Sequence, residues 1–338
     1  MSFWRCSRRS LLTASYPRLN ATRRSIPIPA FDTAPFPVVE SCPSPTCSCR
    51  PMPSLPEGLE IDHKQNLNGT MGAYAEQILI ATGKDDWTSR IEEEDDAYLQ
   101  RKVKDILGRK GELSDPYHNI PITNVSFPAA SSSPDSASAY LFPSFKYVPS
   151  IPLAEDSVKN FIRGFAKPKQ LHKMHKDVLS PEEQEKLVKD EKLQANFSGV
   201  REVDEVLVLI CGHGGRDARC GILGPLLRDE FEEKLRAKGI DIRPQPDLEQ
   251  HHGPALSASV GLISHIGGHK YAGNVIIYIP KTLKEAGHPL AGKGIWYGRV
   301  GPEQVEGVIE QTIVQGKVVK ELFRGGIEDN DARTILRL

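Results

Sequence analysis

Four residues have the types and the spacing to do chemistry. Cys211 and Cys220 lie in the run CGHGGRDARCG, with eight residues between them. His265 and His269 stand four positions apart in SHIGGHKYAGN, and 44 residues separate the two pairs. Two thiolates and two imidazoles are a full ligand set for zinc or for an iron–sulfur cluster. Zinc is the first expectation on frequency, although the cysteine spacing is unlike the short C-x2–4-C pair of a zinc finger. Taken alone, each pair has a plain explanation: buried thiols or a disulfide for the cysteines, chance for the histidines. Both pairs in glycine-rich loops at strand ends are harder to explain in that way.

The glycines matter to this chemistry. Gly212, Gly214 and Gly215 follow the first cysteine, and Gly267 and Gly268 separate the histidines. Glycine lets backbone approach a bulky group and turns N–H groups towards it. Two adjacent glycines also disfavour a regular helix, so the imidazoles should converge from a tight loop. The GxxxxGK[ST] signature of a phosphate loop is absent.

These loops need strands to hold them. Val206 to Ile210 is a continuous apolar run, the pattern of a strand buried on both faces, and it delivers Cys211. Gly224-Pro225 reads as the start of a helix with Leu227, Phe231 and Leu235 inward and Gly239 as its stop. Further strands are expected at 257–263, 274–279 and 295–300, then a last helix opened by Gly301-Pro302 and broken near Gly316. The order β-α-β-β-β-α predicts an α/β layout from residue 201 to 338.

Residues 41–200 read as a separate N-terminal domain. A short strand at 76–83 precedes a loop with Asp85, Asp86 and Trp87. A charged helix is expected over 89–108, with the acidic run 92–96 as its solvated face, and a flexible Ser/Pro loop over 124–138. Leu141 to Ile151 reads as extended and Ser157 to Phe165 as helical. Ser180-Pro181-Glu182-Glu183 is a helix start, and His172 and His175 read as solvated. The proline-rich entry to this domain carries Cys42, Cys47 and Cys49, read as candidate redox thiols in an exposed loop, with a regulatory disulfide as the lesser alternative.

The 338 residues leave room for about two domains. Net charge is −1, but residues 1–31 hold six arginines and no acid, so the remainder is acidic. That balance argues against nucleic acid as a partner. No run approaches the roughly 18 apolar residues of a membrane span, so no membrane insertion is expected. Residues 1–40 read as a mitochondrial transit peptide or a disordered basic tail, with the import machinery as the partner of the N-terminus. Six cysteines are too few for a disulfide framework to be the default.

The patterns CxxGxRDxxCGxxG and SHxGGHxxAGN resemble the sucrase/ferredoxin-like family. The resemblance implies two thioredoxin-like domains, the C-terminal one a thioredoxin-like ferredoxin. It implies a [2Fe–2S] cluster on Cys211, Cys220, His265 and His269. It implies an electron carrier, more than a substrate-converting enzyme, acting in mitochondrial thiol redox balance, in the matrix or the intermembrane space, with a redox protein as partner. His213 is then expected to tune the cluster by hydrogen bonding, since four ligands already satisfy two irons. Gly267 and Gly268 should supply backbone N–H groups. Arg216 and Asp217 should brace the loop, with Asp217 able to orient a histidine. Imidazoles that replace thiolates raise a cluster's potential, and their second ring nitrogens allow coupling to a proton. Two rivals stand beside this reading: a thiol–disulfide oxidoreductase using Cys211 and Cys220, and a structural zinc module that binds partners. No carboxylate pair is placed for glycoside hydrolysis.

Overall fold

The computed structural model describes residues 34–130, 133–243, 256–329 and 335–338. Apolar runs become strands wherever both faces can be covered. In the N-terminal half these are β1 (Gln77–Ala81), β2 (Ile122–Val125), β3 (Ser136–Phe142) and β4 (Lys146–Pro152). The C-terminal half adds β5 (Val206–Cys211), β6 (Ser257–Ile263), β7 (Val275–Ile279), β8 (Lys293–Tyr297) and β9 (Phe323–Glu328). Helix α1 (Tyr98–Leu107) joins β1 to β2, and α2 (Glu155–Phe161) follows β4. A short α3 (Pro181–Lys186) precedes α4 (Ala218–Ala237), which joins β5 to β6, and α5 (Pro302–Val308) follows β8.

The same unit is used twice. In the N-terminal half the strand order is β2-β1-β3-β4, with β1 parallel to β2 and the other pairs antiparallel. In the C-terminal half it is β6-β5-β7-β8, with β5 parallel to β6 and the other pairs antiparallel. Each unit reads β-α-β-β-β-α, and each closing helix runs on into a π-helical turn, Ile162–Ala166 and Ile309–Val314. The division expected near 200 is bridged by Arg201–Glu202, a two-residue strand that pairs with β4. The sheet itself does not stop there. β2 joins β6 through Val125 opposite Ile263, and residues 34–338 form one compact unit.

Side-chain alternation along the strands sorts the core into layers. Ile78 and Ile80 meet Leu99 and Val103 of α1 and Phe161 of α2. Val206, Val208 and Ile210 meet Leu223, Leu227 and Phe231 of α4 and Val305 of α5. The opposite faces of the two half-sheets pack on each other: Leu79, Tyr140 and Phe142 against Leu207, Leu209 and Tyr278. Phe142 stacks on Tyr278 with centroids 3.7 Å apart. The buried Tyr278 hydroxyl donates to Gln77 Oε1 at 2.7 Å and shares a hydrogen bond with the Tyr74 hydroxyl at 2.8 Å. The layers therefore run helix, sheet, sheet, helix, and the sheet doubles back at the β2–β6 junction. The C-terminal ends of β1, β2, β5 and β6 meet there.

Several expectations need correction. The helix expected over 89–108 is α-helical only from Tyr98. Glu92 and Glu94 are not a bare solvated face but accept from Lys104 and Lys84. The loop expected over 124–138 includes the end of β2 and the start of β3. β2 escaped notice because its core is Thr123-Asn124. Asn124 is buried there because Gln100 Nε2 donates to its side-chain oxygen at 2.8 Å and its backbone N–H donates to Ser264 Oγ at 2.9 Å. α4 begins at Ala218, not at Gly224-Pro225, because Asp217 caps it, accepting from the Arg219 N–H at 3.1 Å. Residues 34–40, grouped with the basic leader, belong to the folded body: Phe36 is buried against Phe323, and Val38–Val39 pairs with Val318–Val319. Residues 1–33 lie outside the described residues. The helix start at Ser180 has the capping box that its sequence indicates.

His175 is buried rather than solvated. Asp115 Oδ1 pairs with its Nε2 at 2.9 Å, and Asp115 Oδ2 with His118 Nδ1 at 2.6 Å. His172 remains half-exposed, stacked on Tyr117 at 4.2 Å. Burial works against the Asp115 charge, but the two imidazoles hold its carboxyl well below the usual range. The folded carboxyl therefore titrates below its unfolded value of about 4. Its contribution to stability is full above that pH and is lost as the pH falls towards the folded value. Asp115→Asn is expected to lower stability at pH 7 by about 3 kcal/mol. Urea unfolding from pH 7 to pH 3 should show a shallower loss on acidification in the variant than in the natural chain.

Candidate redox centre

The four sequence-marked residues are delivered to one place by three elements. β5 ends at Cys211, whose N–H donates to the Asn274 carbonyl at 2.9 Å. The chain then turns through 212–217 and enters α4, placing Cys220 in the first helical turn. The turn can pass this close to the helix only because glycine faces glycine. A Cβ on Gly221 would lie 2.6 Å from Gly214 Cα, and one on Gly224 would lie 2.5 Å from Gly212 Cα. That backbone contact brings the thiols together. Both are buried and neither is in a disulfide.

The two thiols form one buried, hydrogen-bonded pair and are shifted in opposite directions. Cys211 is held well below the usual thiol range, first by a hydrogen bond from Cys220, then by the His265 ring and the His213 backbone N–H, all against the cost of burial. Cys220 is pushed up, because its proton is engaged with Cys211 and it is buried. Cys211 is thus the more acidic thiol of the pair, with His265 beside it.

The histidines come from the loop after β6. Gly267 and Gly268 take φ of +80° and +75°, the left-handed region that glycine enters without strain. Their turn brings the His265 and His269 rings to 5.5 Å between centroids. His269 Nε2 faces Asp217 Oδ2 at 4.0 Å, while its Nδ1 is buried with no hydrogen-bond partner. His213 is locked. Its Nε2 donates to the Thr88 carbonyl at 2.8 Å, and its Nδ1 accepts from the His265 N–H at 2.9 Å. Both ring nitrogens are used, so His213 positions His265 and has no lone pair left for a metal. Asp217 pairs with Arg219, Oδ2 to Nη2 at 2.9 Å, whereas Arg216 reaches across to Ser89 Oγ at 3.2 Å.

One wall of the centre was not foreseen. The loop after β1 comes from the other half of the chain and closes over the thiol turn. Trp87 packs edge-on against the His213 ring at 5.9 Å, and Asp86 accepts from the Gly215 N–H at 3.2 Å. Asp86 and Trp87 read as an ordinary loop because their partners are more than 120 residues away. Arg324 in β9 was also missed, since Phe323–Glu328 contains two glycines and shows no strand periodicity.

Cys42, Cys47 and Cys49 lie elsewhere, on a strap across α4 and α5, as free thiols. Cys42 is half-buried and donates to the Gln304 carbonyl at 3.4 Å; burial and Glu321 push its thiol up to about 11. Cys47 is exposed, accepting from Lys234 Nζ at 3.1 Å. Cys49 is half-buried, with its thiol directed at the Cys47 carbonyl. Only Cys47 matches the exposed loop thiol expected here.

Among the described residues, no three His, Cys, Asp or Glu side chains are grouped so as to hold a single metal ion. The four donors instead form two neighbouring pairs, sulfur with sulfur and imidazole with imidazole. Among the described residues, no helix is long and apolar enough to cross a membrane.

The family model for sucrase/ferredoxin-like proteins matches residues 67–325. The chain belongs to the sucrase/ferredoxin-like family. Its matched span covers both β-α-β-β-β-α units and ends at Gly325, taking in Thr70, Asp86 and Arg324 as well as the thiols and histidines. Altered inheritance of mitochondria protein 32 from Debaryomyces hansenii is 32% identical over 286 residues, 83% of this chain and 93% of that protein. The protein of the same name from Meyerozyma guilliermondii is 32% identical over 312 residues, 89% of this chain and 94% of its own. Actin patches distal protein 1 from Saccharomyces cerevisiae is 36% identical over 143 residues, 41% of this chain and 39% of that protein. No solved structure matches the chain.

Proposed function

We propose that this sucrase/ferredoxin-like protein is a one-electron carrier that holds a [2Fe–2S] cluster on Cys211, Cys220, His265 and His269. The observation that carries this reading is the meeting of two sulfurs and two imidazoles from β5, α4 and the loop after β6. The donor set suits the group in kind: an acidic thiol at Cys211, a second sulfur beside it, and a buried His269 Nδ1 with no hydrogen-bond partner among the described residues. Two donor pairs suit two irons better than one ion. Bound there, the cluster supplies reversible one-electron transfer, at a potential raised by imidazole from about −400 mV towards the roughly −150 to +300 mV of mixed Cys/His centres.

The chain's own residues do the rest. Burial of both thiols excludes water from the sulfur side, and Asp86, Trp87 and His213 hold the turn rigid. The His269 side chain is 44% exposed, so electrons would enter and leave by the histidine edge, where a redox protein can dock. Ring nitrogens of His265 and His269 turned away from the ligated atoms can take a proton when the site gains an electron. The midpoint potential should therefore fall as pH rises; a midpoint flat between pH 5 and pH 10 would remove the proton coupling.

A mitochondrial location, in the matrix or the intermembrane space, is supported by the names of the relatives and by the Arg-rich start, which suits the import machinery. A role in thiol redox balance follows by analogy only. The thiol–disulfide reading draws on the low-lying Cys211 thiol with Cys220 as its resolving partner. It lacks a path by which a substrate disulfide reaches two buried sulfurs. Anaerobic purification with iron, sulfide and zinc assays separates the readings. About two irons and two sulfides per chain, with absorption in the visible, are expected. One zinc in a colourless protein would establish the structural module instead, and a metal-free dithiol the oxidoreductase.

A further inference from the structure

Arg324 is a buried cation with no carboxylate in contact among the described residues. Its side chain, in β9, is enclosed by protein. Among the described residues the guanidinium donates to neutral acceptors: Nε to Thr70 Oγ1 at 3.1 Å, Nη2 to the Thr70 carbonyl at 3.0 Å, Nη1 to the Gly267 carbonyl at 3.1 Å and to Asn274 Oδ1 at 2.7 Å. The rings of Tyr271 and Trp296 lie near it, with centroids 5.5 and 5.9 Å from the guanidinium carbon. Among the described residues, no Asp or Glu pairs with it. Burial lowers its pKa to about 10, so it stays charged at neutral pH; Tyr271, Cys211 and Cys220 act in the opposite sense. A buried charge of this kind is strongly unfavourable unless a nearby opposite charge offsets it.

The position of this charge is specific. Its Nη1 holds the carbonyl of Gly267, which lies between the two histidines. A Cβ on Gly268 would stand 2.6 Å from Nη2, so the turn is glycine where the guanidinium lies against it. Besides Tyr271, the groups whose negative charge acts on it are Cys211 and Cys220.

We propose that Arg324 is the fixed positive charge that stabilises the reduced state of this centre and so sets its potential. The inference rests on the cluster reading above. A two-iron cluster with two thiolates and two neutral imidazoles is formally neutral when both irons are ferric and gains one negative charge on reduction. A permanent cation beside it favours the reduced form; being a guanidinium, it cannot lose its proton to cancel that effect at neutral pH. Arg324 acts on the potential through space and contributes no ligand.

The test is a mediated redox titration of the full chain with dithionite as reductant, alongside iron and sulfide analysis. Arg324→Gln keeps donors but removes the charge, Arg324→Lys keeps the charge, and Thr70→Asp places a carboxylate beside the intact guanidinium. The reduction equilibrium constant should drop about tenfold or more in Arg324→Gln and in Thr70→Asp, about 59 mV lower for a one-electron couple, and should change little in Arg324→Lys. Should Arg324→Gln fail to fold or to retain iron, Thr70→Asp alone decides. Unchanged midpoints in the neutralised variants, with iron and sulfide retained, would overturn this inference and leave the cluster reading intact. A natural chain free of iron and sulfide would overturn both.

Discussion

Changing Cys211 to serine is expected to abolish iron and sulfide binding and all visible absorption. The reason lies in the pair. Cys211 is the sulfur that the Cys220 hydrogen bond, the His265 ring and the His213 N–H hold below the usual thiol range. An alcohol in its place stays protonated at every accessible pH and is a poor ligand for iron. Replacing a histidine should act differently. His265→Cys and His269→Cys are expected to keep about two irons while lowering the midpoint by roughly 100–300 mV, because a charged thiolate replaces a neutral imidazole. The pH dependence of the midpoint should weaken in the same variants. Iron and sulfide analysis with a redox titration on each purified variant reads all three effects. Full iron content in Cys211→Ser would remove that residue from the ligand set.

The second large effect concerns a residue with no chemistry. Gly224→Ala is expected to cost about 1–3 kcal/mol and to lose the cluster as well. A methyl group there would stand 2.5 Å from Gly212 Cα and 2.9 Å from the Cys211 carbonyl. Both neighbours are backbone, so no side chain can swing aside. Relief requires α4 to lift from the thiol turn, which draws Cys220 away from Cys211. Gly72→Ala is the matched control. Its Cβ would meet nothing within 4 Å, and its stability should stay within about 0.5 kcal/mol of the natural chain. Chemical denaturation and visible absorption report the two consequences separately. A Gly224→Ala protein as stable as the control would show that the helix tolerates the extra atom.

Much of the C-terminal unit was legible from residue order because its strands are buried on both faces. Val206–Cys211 and Val275–Ile279 are continuous apolar runs, and Ser257–Ile263 is nearly so. The elements that were missed are those whose polarity is satisfied by distant partners. β2 is strand only because Gln100 and Ser264 complete Asn124, and Ser264 lies 140 residues away. His175 is buried only because Asp115, 60 residues earlier, waits for it. β9 hides behind two glycines, and with it Arg324.

Residue types along the chain specified the donor set, the glycine-rich turns that carry it, and the strand–helix order that would present them. Those are local properties: ligand chemistry, backbone freedom and the period of apolar positions are all written within a few neighbours. Packing in three dimensions selected what local order cannot. It made Cys211 more acidic than Cys220, closed His213 off as a ligand, and brought Asp86 and Trp87 of one unit over the thiols of the other. It also placed a buried guanidinium against the histidine loop. Charges and hydrogen bonds act through space, so their partners are set by how the doubled sheet folds back, not by nearness in sequence.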